Sequence, residues 1–599
     1  MKTLAETRAR GALRLLLGTI ALVSLALAAP WGGFAHAATC DTSWASAVSG
    51  TWSDATKWTA GVPSAAAKVC ITVAGTYTVT GGGSAKGLTL GGSSGTQTLD
   101  LNGSTLALNT QGSGSNGIGS HGVVLLRSDT GSYSWLNITG GTLTNAGSIQ
   151  SNTSNYSAAL NYLDGTVVNN GTVAVNFSMT NENRGSWTNA GKLTVGSGAT
   201  FFHGSGDFTW NSGTITNSGA LQQLGGGTFF ANNAGALGGN AIAIQNASVA
   251  PSGTGSAAFT VTGSSRLSSD IAAGYALNVD GGTLAVDASR TNNGTLTFGS
   301  DTGAYAWLNV ENGATLTNAG TIQSNSSNYG AAVNYWYGDV VNIGTIAINF
   351  NTTNDAKGSW TSKGLLTVAS GATLNLNTKN LTLTGGTLGG SGTVQAATVT
   401  NTSGNVAPGA SPGTLTITGG YTQSSKGKLT VEIAGNGAGQ YDVLAVTGAA
   451  TLGGTLVLAP SFTATLGQTF GIVTAGSLTG KFKKVSKASI KSGLYYAPTY
   501  TGTGSSLVVK QATVSVPGTA MHGATIGVSG TGWLPGDKVT LTFTDSASAK
   551  TIYPTVTANG SGSFSTTITI PAAAALGTGK VNAKSTITSV SLTKNVSVT

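Results

Sequence analysis

Short runs of alternating apolar and polar residues cover most of the chain, and glycine or asparagine separates one run from the next. An alternation of this period predicts β-strands, because successive side chains of a strand point to opposite faces. In two related segments it predicts these inward side chains: Val173, Val175, Phe177, Ile346, Ile348 and Phe350. No long helical pattern competes with the strands.

Residues 128–200 recur, with conservative changes, as residues 300–373. Trp307 follows Trp135 by 172 residues, whereas Trp360 follows Trp187 by 173. One residue has therefore been added between Val310 and Thr315. An insertion tolerated there is typical of a turn.

A finer repeat lies within each copy, in which Asn-x-Gly precedes a short strand. The asparagines are Asn145, Asn169, Asn189, Asn217, Asn292, Asn318 and Asn342, at spacings of 20 to 28 residues. This period predicts the coils of a solenoid, with Asn and Gly at corners of positive φ. We expect an all-β chain forming a right-handed parallel β-helix about 85 Å long, since stacked strands lie roughly 4.8 Å apart.

The same alternation places Leu136 and Ile138 inside. It then leaves large aromatic side chains on the outer face: Tyr133, Trp135, Tyr305 and Trp307. Trp336 falls on the face opposite its neighbours in the chain and is a further candidate. Such rings stack on sugars, so they indicate a glycan-binding strip. The alternative is an aromatic ladder that only stabilises the sheet.

Composition narrows the class of protein. Only 8% of the residues are charged, while 91 are glycine, so the surface must be polar through Asn, Ser and Thr. This profile is typical of repetitive extracellular β proteins and argues against an ordinary cytosolic α/β enzyme. Residues 1–37 have the basic start, apolar run and small-residue end of a signal peptide, which predicts an extracellular or cell-surface location.

Removal of residues 1–37 lowers the formal net charge from +9 to +6, which does not suggest nucleic-acid binding. No later apolar run is long enough to span a bilayer. The remaining cysteines, Cys40 and Cys70, form an even pair in an exported chain and predict one disulfide; two free buried thiols are the alternative.

Residues 38–80 contain three tryptophans, Trp44, Trp52 and Trp58, before the strand at 69–73. Motifs such as GTWSD at 50–54 and GVP at 61–63 resemble the N-terminal capping segment of secreted bacterial β-helix proteins. The resemblance implies that tryptophans cover the open end of the solenoid. Coils are expected over residues 81–510.

Further motifs lie near the end of these coils: NVAPGASPGTL at 405–415, YDVLAVTG at 441–448 and LGGTL at 452–456. Together with FGIV at 470–473 they resemble the last coils of autotransporter passenger domains, over residues 400–485. That resemblance implies a β-helix and names no ligand.

Residues 513–599 differ in character. GWLPGD at 532–537 precedes an alternating strand at 539–543, and GSF at 562–564 precedes another at 567–571. The segment resembles bacterial immunoglobulin-like surface modules, which implies a small β-sandwich.

Five lysines lie just before this module: Lys481, Lys483, Lys484, Lys487 and Lys491. They could bind an anionic polymer through screened electrostatic attraction, or form an ordinary solvated loop.

Catalytic motifs do not stand out. His121, His203 and His522 lack metal-ligand spacing and are interpreted as surface or turn residues. The acidic residues are scattered, whereas glycosidic catalysis needs two carboxylates at a fixed separation. We therefore predict a non-enzymatic surface protein with a structural or adhesive role, without cofactor or metal, whose partner is an envelope or extracellular polysaccharide. The alternative is a polysaccharide lyase or glycoside hydrolase built on a β-helix.

Overall fold

The computed structural model describes residues 39–109, 116–154, 160–182, 185–232, 235–301, 304–327, 333–355, 357–409 and 411–599. The predicted signal peptide, residues 1–37, lies outside the described residues. The chain is all-β with almost no helix, and most of it is a parallel β-solenoid. In each complete coil the chain contributes one strand to each of three parallel ladders, named here A, B and C in the order in which successive strands of a coil join them.

Ladder A comprises Ser84–Ala85, Thr105–Leu108, Met179–Asn181, Thr200–His203, Ala220–Leu224, Ile242–Gln245, Ala257–Thr262, Tyr275–Asp280, Thr295–Ser300, Thr321–Ser327, Thr345–Ile348, Leu365–Val368, Thr387–Gly390, Asn405–Pro408, Lys428–Ile433, Thr455–Pro460 and Lys484–Ser486.

Ladder B comprises Thr42–Ser43, Lys68–Ile71, Gly87–Leu90, Asn116–Ile118, Trp187–Asn189, Phe208–Trp210, Thr228–Ala231, Ser248–Ala250, Ser264–Leu267, Thr283–Val286, Trp307–Val310, Asn334–Tyr337, Thr352–Thr353, Thr373–Asn375, Val443–Val446 and Thr469–Thr474.

Ladder C comprises Gly50–Thr51, Tyr77–Thr80, Gln97–Asp100, Gly122–Ser128, Ser148–Ser154, Thr172–Val175, Lys192–Val195, Thr214–Asn217, Leu237–Gly239, Arg290–Asn292, Thr315–Asn318, Asp339–Asn342, Trp360–Ser362, Leu381–Leu383, Ala449–Leu452 and Ser477–Gly480. Four longer strands bend from one ladder into the next: Trp135–Asn145 and Asn161–Asn169 from A to B, and Thr393–Asn401 and Thr414–Gln423 from B to C.

The coil interior is formed by the alternate apolar residues that the sequence pattern predicts. Leu136, Val173 and Ile346 are completely buried in one continuous core. Phe177 and Phe350 were expected beside them but are only half-buried. The reason is that the strands end at Val175 and Ile348, after which the chain turns and the alternation no longer applies.

The Asn-x-Gly repeat builds an internal ladder of side chains. The Asn145 amide donates to Asn169 Oδ1 at 2.8 Å, and the Asn169 amide donates to Asn189 Oδ1 at 2.8 Å. The second copy repeats this arrangement through Asn292, Asn318 and Asn342, ending on Ser362. These buried amides satisfy one another and backbone carbonyls, which buried polar groups require.

The glycines of this repeat correct the sequence interpretation, because they do not have positive φ. A Cβ on Gly171 would lie 2.3 Å from the carbonyl oxygen of Gly147, and one on Gly344 would lie 2.2 Å from that of Gly320. Neighbouring coils approach too closely here for any side chain. Glycine is required by contact between coils and not by a left-handed corner.

Three buried tryptophans cluster at the first coil of the solenoid. The rings of Trp44 and Trp58 meet edge to face at 4.9 Å, and Trp52 packs against Trp58 at 5.1 Å. Just outside this cluster, Asp54 begins the single short 3-10 helix of the described residues, Ala55–Lys57. The predicted disulfide joins Cys40 to Cys70, with the two Cα atoms 5.9 Å apart.

The other end is closed by an antiparallel hairpin, Leu494–Tyr500 and Gly504–Gln511, whose second strand pairs with Thr469–Thr474. A β-sandwich follows. Its three-stranded sheet contains Thr513–Ser515, Thr525–Thr531 and Phe564–Thr569, and its larger sheet contains Thr519–Ala520, Lys538–Thr544, Lys550–Ile552, Val556–Thr557, Gly577–Ser585 and Ser591–Val598. The two sheets share a core around Trp533, Phe543 and Phe564. Its immunoglobulin-like character stays a prediction.

Within the described ranges we find no helix of the length and hydropathy needed to cross a bilayer.

Candidate functional site

The first aromatic cluster consists of Tyr133, Trp135 and Tyr162 on the outside of ladder A. Trp135 is paired with Tyr162 of the next coil, and the two rings lie 5.7 Å apart. Tyr133, which is 45% exposed, meets Tyr162 edge to face at 5.5 Å. The Trp135 indole N–H donates to Asp164 Oδ2 at 2.9 Å, and Asp164 Oδ1 accepts the backbone N–H of Glu182. A buried carboxylate therefore fixes this tryptophan.

The second aromatic cluster consists of Tyr305, Trp307, Tyr335 and Tyr337 on the outside of ladder B. Trp307 and Tyr335 are stacked, with ring centroids 4.0 Å apart and an angle of 12° between the rings. Tyr305 and Tyr337 each meet Trp307 edge to face, at 6.4 and 5.4 Å.

Tyr337 occupies the position that Asp164 holds in the first copy. The ammonium group of Lys357 lies 3.9 Å from the Tyr337 ring centroid, a cation–π contact. Burial, with the negative charge of Asp355 nearby, raises the pKa of the Tyr337 hydroxyl. The second copy thus presents a larger, purely aromatic surface beside a cation.

The two clusters do not lie on the same face. Ladder B can be followed rung by rung from the first copy to the second. Starting at Leu143, its successive rungs are Val167, Trp187, Phe208, Phe229, Val249, Ser264–Leu267, Thr283–Val286 and Trp307–Val310. Trp307 therefore lies eight rungs above the ladder B part of strand Trp135–Asn145, while Trp135 itself belongs to ladder A. Eight rungs correspond to about 38 Å along the axis.

From Trp135 to Trp307 the chain accordingly completes eight coils and passes one further strand. Because the chain must turn between successive ladders to close each coil, ladders A and B face different directions. A straight polymer cannot lie on both clusters at once, so the outward aromatic residues do not form one continuous strip.

Trp336 is not part of either cluster. It is fully buried, packed 5.0 Å from Phe298 and 5.9 Å from Trp360. It points inward because it alternates with Tyr335, whose ring is outside. A residue in the coil core cannot contact a glycan, so Trp336 is removed from the candidate site.

Sequence reasoning did not name Tyr162, Tyr335, Tyr337 and Lys357 as site residues. The signal was present for the tyrosines, since each lies one coil beyond an outward tryptophan or its strand neighbour. Lys357 lies in a turn, where the alternation of residues does not apply, so its contact with Tyr337 could not be predicted.

The predicted lysine cluster is fully on the surface: Lys481, Lys483, Lys484, Lys487 and Lys491 are all exposed. Lys481 lies over the ring of Tyr500 at 5.7 Å. Over the part of the chain that the structure describes, none of the five forms a salt bridge.

Two carboxylates converge at one place on ladder C. Arg127 forms salt bridges with both Asp100, at 2.6 Å, and Asp129. The Asp100 carboxylate is buried and that of Asp129 is half-exposed. The bond to Asp100 is the main cause that raises the pKa of Arg127 further above its ordinary value. The described residues contain no group of three or more His, Cys, Asp or Glu side chains suited to a metal ion.

His203 is a core residue and not the surface or turn residue expected. It is 1% exposed, and its Nδ1 lies 2.9 Å from Gln223 Oε1. Burial lowers its pKa to about 4. Its neighbours Phe201 and Phe208 meet it edge to face, so it is packed inside the coils.

Comparison with known proteins adds little. No protein-family model matches the chain, and no curated protein matches it. A solved structure of the sulfur carrier protein SoxY from Chlorobium limicola f thiosulfatophilum has 14% sequence identity and covers 15% of this chain and 78% of its own. Its TM-score is 0.12, so this likeness carries no argument.

Proposed function

We propose that this chain is an exported, non-catalytic surface protein that binds polysaccharide on the outside of its solenoid. The second aromatic cluster is the observation that carries the proposal. Outward aromatic side chains bury part of their surface against one another and leave flat edges and faces to solvent, which suits the apolar C–H faces of sugar rings.

The local concentration of these rings supports a binding role. Outward positions on neighbouring rungs of ladder B are small, namely Thr283 below Trp307 and Thr353 above Tyr335. A sheet that needed only stabilisation could continue with such β-branched residues. In the second cluster, Trp307 and Tyr335 with Tyr337 instead bring aromatic rings together on two adjacent rungs, as a site would.

Export is supported by the predicted signal peptide and by the Cys40–Cys70 disulfide, since disulfides persist in oxidising compartments. The tightly packed and weakly charged coils suit a rigid spacer that holds a binding surface away from its point of attachment.

The test is affinity electrophoresis of the purified protein through gels containing neutral polysaccharides such as β-glucan, galactomannan or soluble chitin derivatives. Trp307→Ala should weaken binding at least about fivefold, because a stacking ring contributes roughly 1 kcal/mol or more. Tyr305→Ala should weaken it less.

Phe230→Ala is the matched control. Phe230 is an outward, half-buried aromatic residue of the same ladder, outside both clusters. The Phe230→Ala substitution should leave binding to the polysaccharides unchanged. Equal retention by the wild type and Trp307→Ala, with a lowered melting temperature in the variant, would identify the cluster as a structural ladder only.

A carbohydrate-active enzyme is the second candidate, and the Asp100–Arg127–Asp129 group is the observation that favours it. Glycosidic catalysis uses two carboxylates about 5 to 10 Å apart. Here, however, both carboxylates are already engaged in ion pairs with the Arg127 guanidinium. Release of reducing sugars that is lost in Asp129→Asn would support the enzyme and contradict our proposal.

A further inference from the structure

Charge is distributed very unevenly along the chain. Residues 401–599 contain thirteen lysines and no arginine against four acidic residues, a formal net charge of +9. Residues 38–400 contain eleven basic and fourteen acidic residues, a formal net charge of −3. The positive charge of the protein is therefore concentrated in its last coils and its sandwich.

The acidic residues of this region hardly offset the lysines at the surface. Asp442 is buried and accepts the backbone N–H groups of Gly413 and Glu432, both at 2.8 Å. Asp537 is buried and accepts the Ser585 hydroxyl, while Asp545 accepts backbone N–H groups. Only Glu432 remains half-exposed.

Four of the five lysines of the sandwich share one face. Along Lys538–Thr544 the buried residues are Val539, Leu541 and Phe543, so the alternate positions face outward. Lys550 and Lys580 are both paired opposite Thr544, and Lys584 is opposite Thr540. All four lysines are exposed on the outer face of the larger sheet: Lys538, Lys550, Lys580 and Lys584.

This face continues onto the last coil. The backbone N–H of Val485 donates to the carbonyl of Ile587 at 2.8 Å, and that of Thr586 donates to the carbonyl of Lys538 at 3.0 Å. Lys484 is next to Val485, and Lys584 precedes Ile587 by three residues. The two bonds therefore place the coil lysines beside the sheet lysines, across the junction of the two units.

We propose that these lysines form one surface for a linear anionic polysaccharide: Lys481, Lys483, Lys484, Lys487, Lys491, Lys538, Lys550, Lys580 and Lys584. On the sheet, outward lysines four residues apart are about 13 Å apart, and neighbouring strands are about 5 Å apart. This wide spacing suits a polymer with one charge per one or two sugars. Outward Thr540, Thr542 and Asn582 between the lysines can bond sugar hydroxyls.

Other polyanions fit less well. No arginine is available for bidentate recognition of phosphate. The outward positions of the three strands around these lysines contain no aromatic residue for base stacking. The surface is also distinct from the second aromatic cluster, so the two proposals can fail separately.

The test measures binding of the full mature chain to hyaluronate, with neutral dextran, duplex DNA and phosphatidylglycerol-containing vesicles as comparison probes. Binding to hyaluronate should be clear at about 50 mM NaCl and largely lost at about 500 mM, because salt screens exposed charges. Lys484→Gln, Lys538→Gln and Lys584→Gln combined should weaken it about tenfold or more.

The matched control combines Lys192→Gln, Lys363→Gln and Lys379→Gln and removes the same charge from the earlier coils, where Lys192 and Lys363 are exposed and Lys379 is half-buried. It should change affinity by less than about threefold. Equal effects of the two triple variants, or no binding of hyaluronate, would overturn the proposal. Tighter binding of DNA or vesicles than of hyaluronate, at equal concentration of anionic groups, would overturn the choice of polysaccharide.

Discussion

The two copies of the duplicated segment have nearly the same sequence but present different surfaces. In the first copy Trp135 lies on ladder A and is fixed by Asp164. In the second copy Trp307 lies on ladder B, and Tyr337 replaces the carboxylate and completes a cluster of four rings. Inside the coils the copies agree closely, down to the hydrogen bonds between asparagines.

The difference shows that interior and exterior are constrained separately in this fold. Contact between coils fixes the glycines and the buried asparagines of both copies. The outward positions face only solvent and the adjacent rung, so one substitution there changes the chemistry of the surface without disturbing the stack. Substitutions inside the coils and on their outer face should therefore have separable effects on stability and binding.

Substitution of the glycines at the contacts between coils should be equally destabilising in both copies. Gly171→Ala and Gly344→Ala should each reduce the local stability of their coils by more than about 3 kcal/mol, because the new Cβ would overlap a carbonyl oxygen. Hydrogen exchange, which resolves local opening, measures the effect.

Gly198→Ala and Gly371→Ala are the matched controls. These glycines have φ values of 77° and 78°, with open space around the position of a Cβ. Only the cost of a left-handed alanine, about 1 kcal/mol, is expected. Similar losses at all four positions would show that backbone conformation, and not contact between coils, selects glycine.

The buried asparagines should also behave alike. Asn169→Ala and Asn342→Ala each remove a donor and an acceptor from the core, and each should cost about 3 kcal/mol because their partners lose hydrogen bonds in a buried setting. The exposed pair Asn176→Ala and Asn349→Ala should cost less than about 1 kcal/mol. A large difference between Asn169→Ala and Asn342→Ala would contradict equivalent interiors.

His203 should make the coils around the first copy sensitive to acid. Its folded pKa, about 4, is below the ordinary value of 6.5, so the unfolded chain binds the proton more readily between these values. Stability should therefore fall as pH decreases from about 6.5 to 4, by about 2 to 3 kcal/mol in all. The position 173 residues later holds Leu376, which is buried.

His203→Leu provides the comparison for that prediction. Unfolding of these coils, followed by hydrogen exchange, should lose its dependence on pH in this window. A dependence that persists in the variant would assign it to other groups.

The smallest effect on stability is expected at the outer face. Tyr337→Asp introduces the residue type of the first copy opposite Lys357 but removes a buried ring that packs against Trp307 and Tyr335, so stability should fall by about 1 to 2 kcal/mol. Binding to the proposed polysaccharide should weaken about threefold or more, since one ring is removed. Tyr337→Phe should retain affinity; equal binding by both variants would remove Tyr337 from the site.

The even pair of cysteines was sufficient to predict the disulfide. The alternation of residues was sufficient to predict the solenoid and the outward direction of Trp135 and Trp307. It failed at strand ends, where Phe177 and Phe350 follow a turn. It also could not tell which ladder a strand joins, because all three ladders share one inward and outward pattern. The two copies lie on different ladders because of the number of strands between them, and between Gly239 and Arg290 ladder C is reduced to isolated bridges at Ser256 and Ile271.

The hairpin at Leu494–Gln511 sets a limit on how such molecules can assemble. Its strand Gly504–Gln511 runs antiparallel to Thr469–Thr474 and occupies the edge where another coil would otherwise add. With tryptophans closing the opposite end, whole molecules cannot join coil to coil into a continuous fibre. The number of coils in such a molecule is therefore set by its sequence, and any larger array must be built sideways.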